Sequence, residues 1–279
     1  MSLVLSETAS FLQDQTQRFA REKTPTSHFR SVRDSENPEC FDREIWKQMA
    51  EQGLSGILIP EEYGGSNFGL SGIGVVLQEL GRTLTPSPLF ATAVLGASLI
   101  SKLGTDEQKK KYLPEIANGN LTCCFAFEEG PRHNPKISEV TAEKKGEKFL
   151  INGKKCFVVD GGFADLIIIA AKSSKGTSLF LAQKDSKGIE VKEAKMVDSR
   201  NSANILFTGL EINSENVLGE IDNAQDTIEE VLDIARAAIS AEMLGGALEA
   251  FEITVNYLKE REQFGVKIGS FQALQHRAA

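Results

Sequence analysis

From residue 222 to residue 261 the chain repeats apolar residues at intervals of three and four, among them Ile228, Val231, Leu232, Ile239, Phe251 and Leu258, with no proline to interrupt them. That spacing lines one side of an α-helix. At 1.5 Å per residue such a helix is about 60 Å long. Propensity alone does not hold an isolated helix of that kind in water, so it must pack in a bundle. Its middle is slim, with Ala237, Ala238, Ala241, Gly245, Gly246 and Ala247, which lets another helix come close. A further helix is expected to begin near Ser270, so the C-terminal bundle reads as incomplete and part of its apolar face as open to partners.

The rest of the chain divides by period. Up to Gly119 apolar residues recur at three and four, as in Phe11, Leu12 and Phe19, then Ile45, Trp46 and Met49. TDEQ at residues 105–108 reads as a capping box, and Gly119 suits the end of the helix it opens. GILIPEEYGGSNFG, with Pro60 and Gly64-Gly65, reads as a connection between helices. From Asn120 to Gly219 the period becomes two: LTCCFAF, EKFLI, KKCFVV, DLIIIAA, TSLFLA and ANILF are short β-rich runs. Asn152-Gly153 is the strongest hairpin signal. The spacing predicts an antiparallel sandwich or barrel, not parallel βαβ units. The fold class is therefore α+β multidomain: an N-terminal α-helical domain at 1–119, a middle antiparallel β-sandwich at 120–219, and the start of an incomplete C-terminal helical bundle at 220–279.

Charge narrows the partners. Thirty-nine acidic against thirty-one basic residues give a net charge of -8, which argues against nucleic acid. No apolar run is long enough to span a membrane and no secretory pattern opens the chain, so a cytoplasmic protein is expected. Cys40, Cys123, Cys124 and Cys156 form no C-x-x-C pair, and Cys123 and Cys124 should face opposite sides of a strand. His28, His133 and His276 are scattered, so no metal site is expected. No phosphate-binding or nucleophile-elbow motif is present.

Five stretches then line up in one order: LSGILIPEEYGGSNFG, LGTDEQKKKYLPEIANG, EKFLINGKKCFVVDGGFADLIIIA, SRNSANILFTGLEINSENVLG and REQFGVKIGSFQALQH. Together they resemble the acyl-CoA dehydrogenase family. The resemblance implies FAD held between the β-domain and the C-terminal helices, with a neighbouring subunit gripping its adenosine and pyrophosphate end. On that basis Arg261 matches the arginine that reaches the neighbour's pyrophosphate, Phe264 an aromatic packed on that cofactor, and Gln272 a contact to its adenosine part. Gly265 is expected to permit the turn into the next helix. Within the chain Phe127, Glu128, Phe157 and Val159 match the flavin seat, and Asp233, Arg236 and Asn134 match positions at the acyl-CoA substrate.

Several of these positions depart from the family's pattern. Glu128 stands for a threonine that meets the flavin, and His133-Asn134-Pro135 for Gly-Ser-Asp. Phe157 replaces a tryptophan, and Val159 replaces a threonine that bonds flavin N5. A carboxylate roughly 4 Å from reduced flavin would cost about 4 kcal/mol at an effective dielectric of about 20. The position of the base that some members carry on the long helix is Ala235, and no catalytic residue is assigned. The first expectation is a FAD-dependent acyl-CoA dehydrogenase whose base lies on sequence beyond Ala279, passing electrons to an electron-transfer flavoprotein or similar acceptor. The alternative is a non-catalytic subunit that contributes FAD contacts to a partner chain in a homo- or hetero-oligomer. A flavin oxidase or monooxygenase on the same fold is a third.

Overall fold

The computed structural model describes residues 4–35, 37–134, 136, 137 and 139–279. Helices come first: α1 (Glu7–Lys23), α2 (Thr26–Asp34), α3 (Arg43–Glu51), α4 (Gly69–Thr83), a π-helical segment at Phe90–Gly96, α5 (Ala97–Leu103) and α6 (Asp106–Ala117). The capping box forms: Gln108 N donates to Thr105 Oγ1, and Thr105 N to the Gln108 side chain. Gly119 takes φ 72°, and a Cβ there would lie 2.7 Å from that of Ala50.

Eight strands follow: β1 (Cys123–Ala126), β2 (Thr141–Lys145), β3 (Lys148–Val159), β4 (Leu166–Lys172), β5 (Thr177–Gln183), β6 (Ile189–Lys195), β7 (Asn201–Asn213) and β8 (Val217–Leu218). They form one sheet in the order β6-β7-β3-β2-β4-β5-β8, folded over itself so that Phe149 of β3 meets Phe180 of β5 at 5.2 Å. Most pairs are antiparallel, but β1 runs parallel to β4 and β2 touches β4 in parallel at Thr141. The sheet is therefore mixed. β4 has apolar groups on both sides, which is why it reads as an unbroken run. Ile167 and Ile169 enter the sandwich, whereas Leu166 and Ile168 join the helical core. Cys123 and Cys124 split between the two cores in the same way.

The expected hairpin at Asn152-Gly153 does not form. Both residues lie inside β3, at a bulge against β7, where Gly153 takes φ 129° close to the Val140 backbone and Asn152 Oδ1 accepts from Gly209 N. The reversal is at Gly146-Glu147, between paired Lys145 and Lys148. A local turn signal yielded to the pairing of a long strand.

α7 (Gln225–Glu260) is the long helix, and β9 (Glu262–Gln263), β10 (Val266–Lys267) and α8 (Gln272–Ala278) complete the chain. α7 lies directly on α4. A Cβ on Gly245 would sit 1.8 Å from Gln78 O, and one on Gly81 2.2 Å from Glu242 O. No larger side chain fits at that crossing. At and beyond the crossing, Met243, Phe251, Ile253 and Tyr257 are exposed.

Asp222 ties the start of α7 to the β4–β5 turn. Its carboxylate accepts from Ser173 Oγ, Ser174 Oγ, Lys175 N and Gly176 N, and those bonds hold its pKa well below the usual range. Asp222→Asn keeps the shape and the left-handed backbone (φ 68°) but loses the charge. We expect it to cost about 1–2 kcal/mol in urea unfolding at neutral pH. A carboxylate with a depressed folded pKa stabilises above its unfolded pKa and loses that contribution as pH falls through the folded one. The difference between wild type and variant should shrink as pH falls below about 4; a difference independent of pH would contradict this account.

Candidate functional site

β3 and the loop after β1 meet at the expected flavin seat. Phe127 is buried, 5.4 Å from Phe125 between ring centroids. Glu128 does not point freely at a ligand. Its Oε1 lies 2.5 Å from His133 Nδ1, and its Oε2 is buried with no hydrogen-bond partner among the described residues. Asn134 is exposed and its Oδ1 accepts from Lys136 N; Pro135 lies outside the described residues. Phe157 is half exposed at φ 51°, so one flat face is available. Val159 lines a cavity, where its methyl groups cannot donate a hydrogen bond.

That loop is stitched to β3 from below. Lys155 is fully buried; its Nζ donates to Phe127 O at 2.8 Å and to Glu129 Oε1 at 3.1 Å. Glu129 in turn accepts from Glu139 N and Val140 N, and Cys156 N donates to Glu128 O. Desolvation pushes the Lys155 ammonium down to about 8 against the pull of Glu129. Sequence reasoning missed this pair. KK inside a strand reads as solvated, and only the register shows which lysine faces inward.

Beside Val159 opens a cavity of about 630 Å³ between α4, the segment before the π-helix, the residues ahead of β7, and α7. Asp160 faces it, and burial pushes its carboxyl up to about 7 against the opposing charge of Arg200. Arg200 is ion-paired with Glu242 of α7, which burial raises above the ordinary carboxylate value. None of these three was singled out in the sequence, where isolated acids look like surface.

The second group of expected residues lies far along the chain, at the end of α7. β9 and β10 form a hairpin whose two-residue tip is Phe264 (φ 56°) and Gly265 (φ 77°). Gly265 thus closes a hairpin instead of leading directly into the next helix. Both tip angles are positive, as a type I′ turn requires. Phe264 is 91% exposed and meets Phe271 edge-on at 6.2 Å. Arg261, the C-cap of α7, and Gln272, the first residue of α8, are exposed beside it. Among the described residues no hydrogen bond or ion pair engages the Arg261 guanidinium.

Asp233 and Arg236 are brought together, but chiefly with each other: Arg236 Nη1 lies 2.5 Å from Asp233 Oδ1. Arg236 Nη2 is also 3.8 Å from Glu229, a local charge pair on an exposed helix face. Ala235 between them is buried. Among the described residues no three His, Cys, Asp or Glu side chains group so as to hold a metal ion, and no helix is long and apolar enough to cross a membrane.

Models of the acyl-CoA dehydrogenase N-terminal, middle and C-terminal domains match residues 6–120, 124–210 and 226–279. The short/branched chain specific acyl-CoA dehydrogenase of Bos taurus mitochondria is 30% identical, over 86% of this chain and 58% of its own length. Among solved structures, the Tcur3481-Tcur3483 steroid ACAD G363A variant is 32% identical with TM-score 0.87, over 98% of this chain and 72% of that one. Acyl-CoA dehydrogenase from Geobacillus kaustophilus is 27% identical with TM-score 0.89, over 100% and 75%. The chain spans 58–66% of the length of the first curated relatives it matches.

Proposed function

The chain belongs to the acyl-CoA dehydrogenase family, and from that premise we propose that it serves the FAD-dependent α,β-dehydrogenation of an acyl-CoA thioester as the subunit that completes a neighbouring chain's flavin site. One observation carries this reading. Arg261, Phe264 and Gln272 stand exposed together on the end of α7, while the seat inside the chain is ill suited to a flavin. At that inner seat a carboxylate oxygen is buried without a partner at Glu128, and Val159 offers no donor. At the outer one a free guanidinium can pair two phosphate oxygens, and an exposed aromatic face can cover an apolar ring edge. FAD, when bound, accepts the hydride. The part played by this chain's residues is to bind and orient. An electron-transfer flavoprotein or similar acceptor, and a homo- or hetero-oligomer with a related dehydrogenase chain, are the partners this reading calls for.

A second reading has its own support: the cavity of about 630 Å³ beside Val159 is large enough for an acyl group. It makes the chain a dehydrogenase with a flavin of its own. The visible flavin absorbance of the purified chain, alone and after co-purification with a related dehydrogenase chain, separates the two. We expect little or no FAD on the chain alone and a flavin signal on the mixed complex. Stoichiometric FAD on the unmixed chain would overturn the first reading in favour of the second. Glu128→Thr with Val159→Thr should raise FAD content of the unmixed chain.

A further inference from the structure

The cavity beside Val159 is apolar over most of its wall, where Phe29, Phe41, Leu80, Leu84, Phe163 and Met243 contribute. Its polar lining is unbalanced. Glu39, which is paired with Arg43 outside the wall, Asp160, Asp198 and Glu242 supply four carboxyl groups, against one cation among the described lining residues, Arg200. That cation is already engaged: its guanidinium is ion-paired with Glu242 and lies 3.7 Å from Asp198. Asp160 is different. It is 7% exposed, faces the cavity, and no hydrogen bond or ion pair reaches its carboxylate among the described residues. Its oxygens open onto the cavity, so a donor bound there can reach them.

We propose that this cavity receives an apolar ligand group carrying a hydroxyl, which donates its hydrogen bond to the Asp160 carboxylate. The identity of the ligand's other half, a CoA thioester, rests on the second reading above, in which this cavity takes an acyl group; the hydroxyl end rests on the cavity alone. A plain alkyl end offers Asp160 no donor. A carboxylate end adds an anion beside Asp160 and Asp198, where the lining cation Arg200 is already paired with Glu242, which opposes binding.

The test is binding to the full chain by isothermal calorimetry, with 8-hydroxyoctanoyl-CoA, octanoyl-CoA and octanedioyl-CoA as probes. At about pH 8.5, where Asp160 is ionised, we expect the hydroxylated thioester to bind about tenfold more tightly than octanoyl-CoA, the span of one hydrogen bond to a charged group, and the dicarboxylic one most weakly. Asp160→Gly suits the left-handed backbone at this position (φ 61°) and should erase the preference. Asp160→Asn, which also tolerates positive φ, should reduce it and carries the test if the glycine variant does not fold. Equal affinity of the hydroxylated and plain thioesters, or a preference that survives both substitutions, would overturn the proposal. Octan-1-ol and 1-methoxyheptane are isomers that differ in the donor, and they separate the two claims. If they keep an Asp160-dependent preference while no thioester binds, the hydroxyl site stands and the acyl-CoA reading falls. Thioesters that bind without regard to the hydroxyl give the reverse.

Discussion

Lys155→Met is expected to cost the fold about 3–5 kcal/mol, because it takes away one member of a buried ion pair, the ammonium 3.1 Å from Glu129 Oε1. It also removes the donor to Phe127 O, so the loop that carries Glu128 and His133 loses its anchor. Denaturant unfolding measures the loss. The double variant Lys155→Met, Glu129→Gln should recover part of it, since it removes both charges of the pair. A single variant within about 1 kcal/mol of wild type would contradict this account. The pair also has a signature in pH. Burial holds the Lys155 pKa at about 8 in the fold, against an ordinary value of 10.5. Between those values the unfolded chain binds more protons than the folded one, so this group's contribution to stability rises with pH across that window. The wild type should show that rise and the Lys155→Met variant should lack it.

Arg261→Ala is the second large effect, and it concerns the cofactor instead of the fold. If the hairpin at the end of α7 completes a neighbour's flavin site, loss of a charge-assisted bond should weaken FAD in the mixed complex by about 1.5–3 kcal/mol, roughly ten- to hundredfold. The side chain is exposed and unpaired among the described residues, so the unfolding free energy of the chain itself should not change. FAD retained equally by wild type and variant would exclude this arginine from the site.

Much of the architecture was legible because it depends on period. The three-and-four repeat of α7, the glycine that lets it lie on α4, and the capping box of α6 are local or one-dimensional signals, and all three are present. Strands such as β2 (TAEKK) and β6 (IEVKEAK) went unread because a strand with one wet face carries charge and looks like a loop. The parallel contact of β1 with β4 was equally hidden, since nothing in either segment states the direction of its neighbour. At the candidate site, the resemblance marked positions 128, 157, 159, 261, 264 and 272. It could not say that Glu128 would be bridged to His133, or that Asp233 and Arg236 would chiefly satisfy each other.

The sequence by itself determined the order of helical and β segments, the length of α7 and the capping box of α6, because hydrophobic period and caps act over a few positions. Only the tertiary structure decided which charges are buried. Lys155 and Lys154 are neighbours in the chain, yet a strand sends them to opposite faces. Lys155 enters a dry interior, where desolvation lowers its pKa against the pull of Glu129, and Lys154 faces solvent. Asp160, Arg200 and Glu242 lie on three separate segments and meet only because the sheet and α7 close around one cavity. Burial and charge pairing depend on distance in space, and a long-range contact leaves no period in the chain for a reader to find.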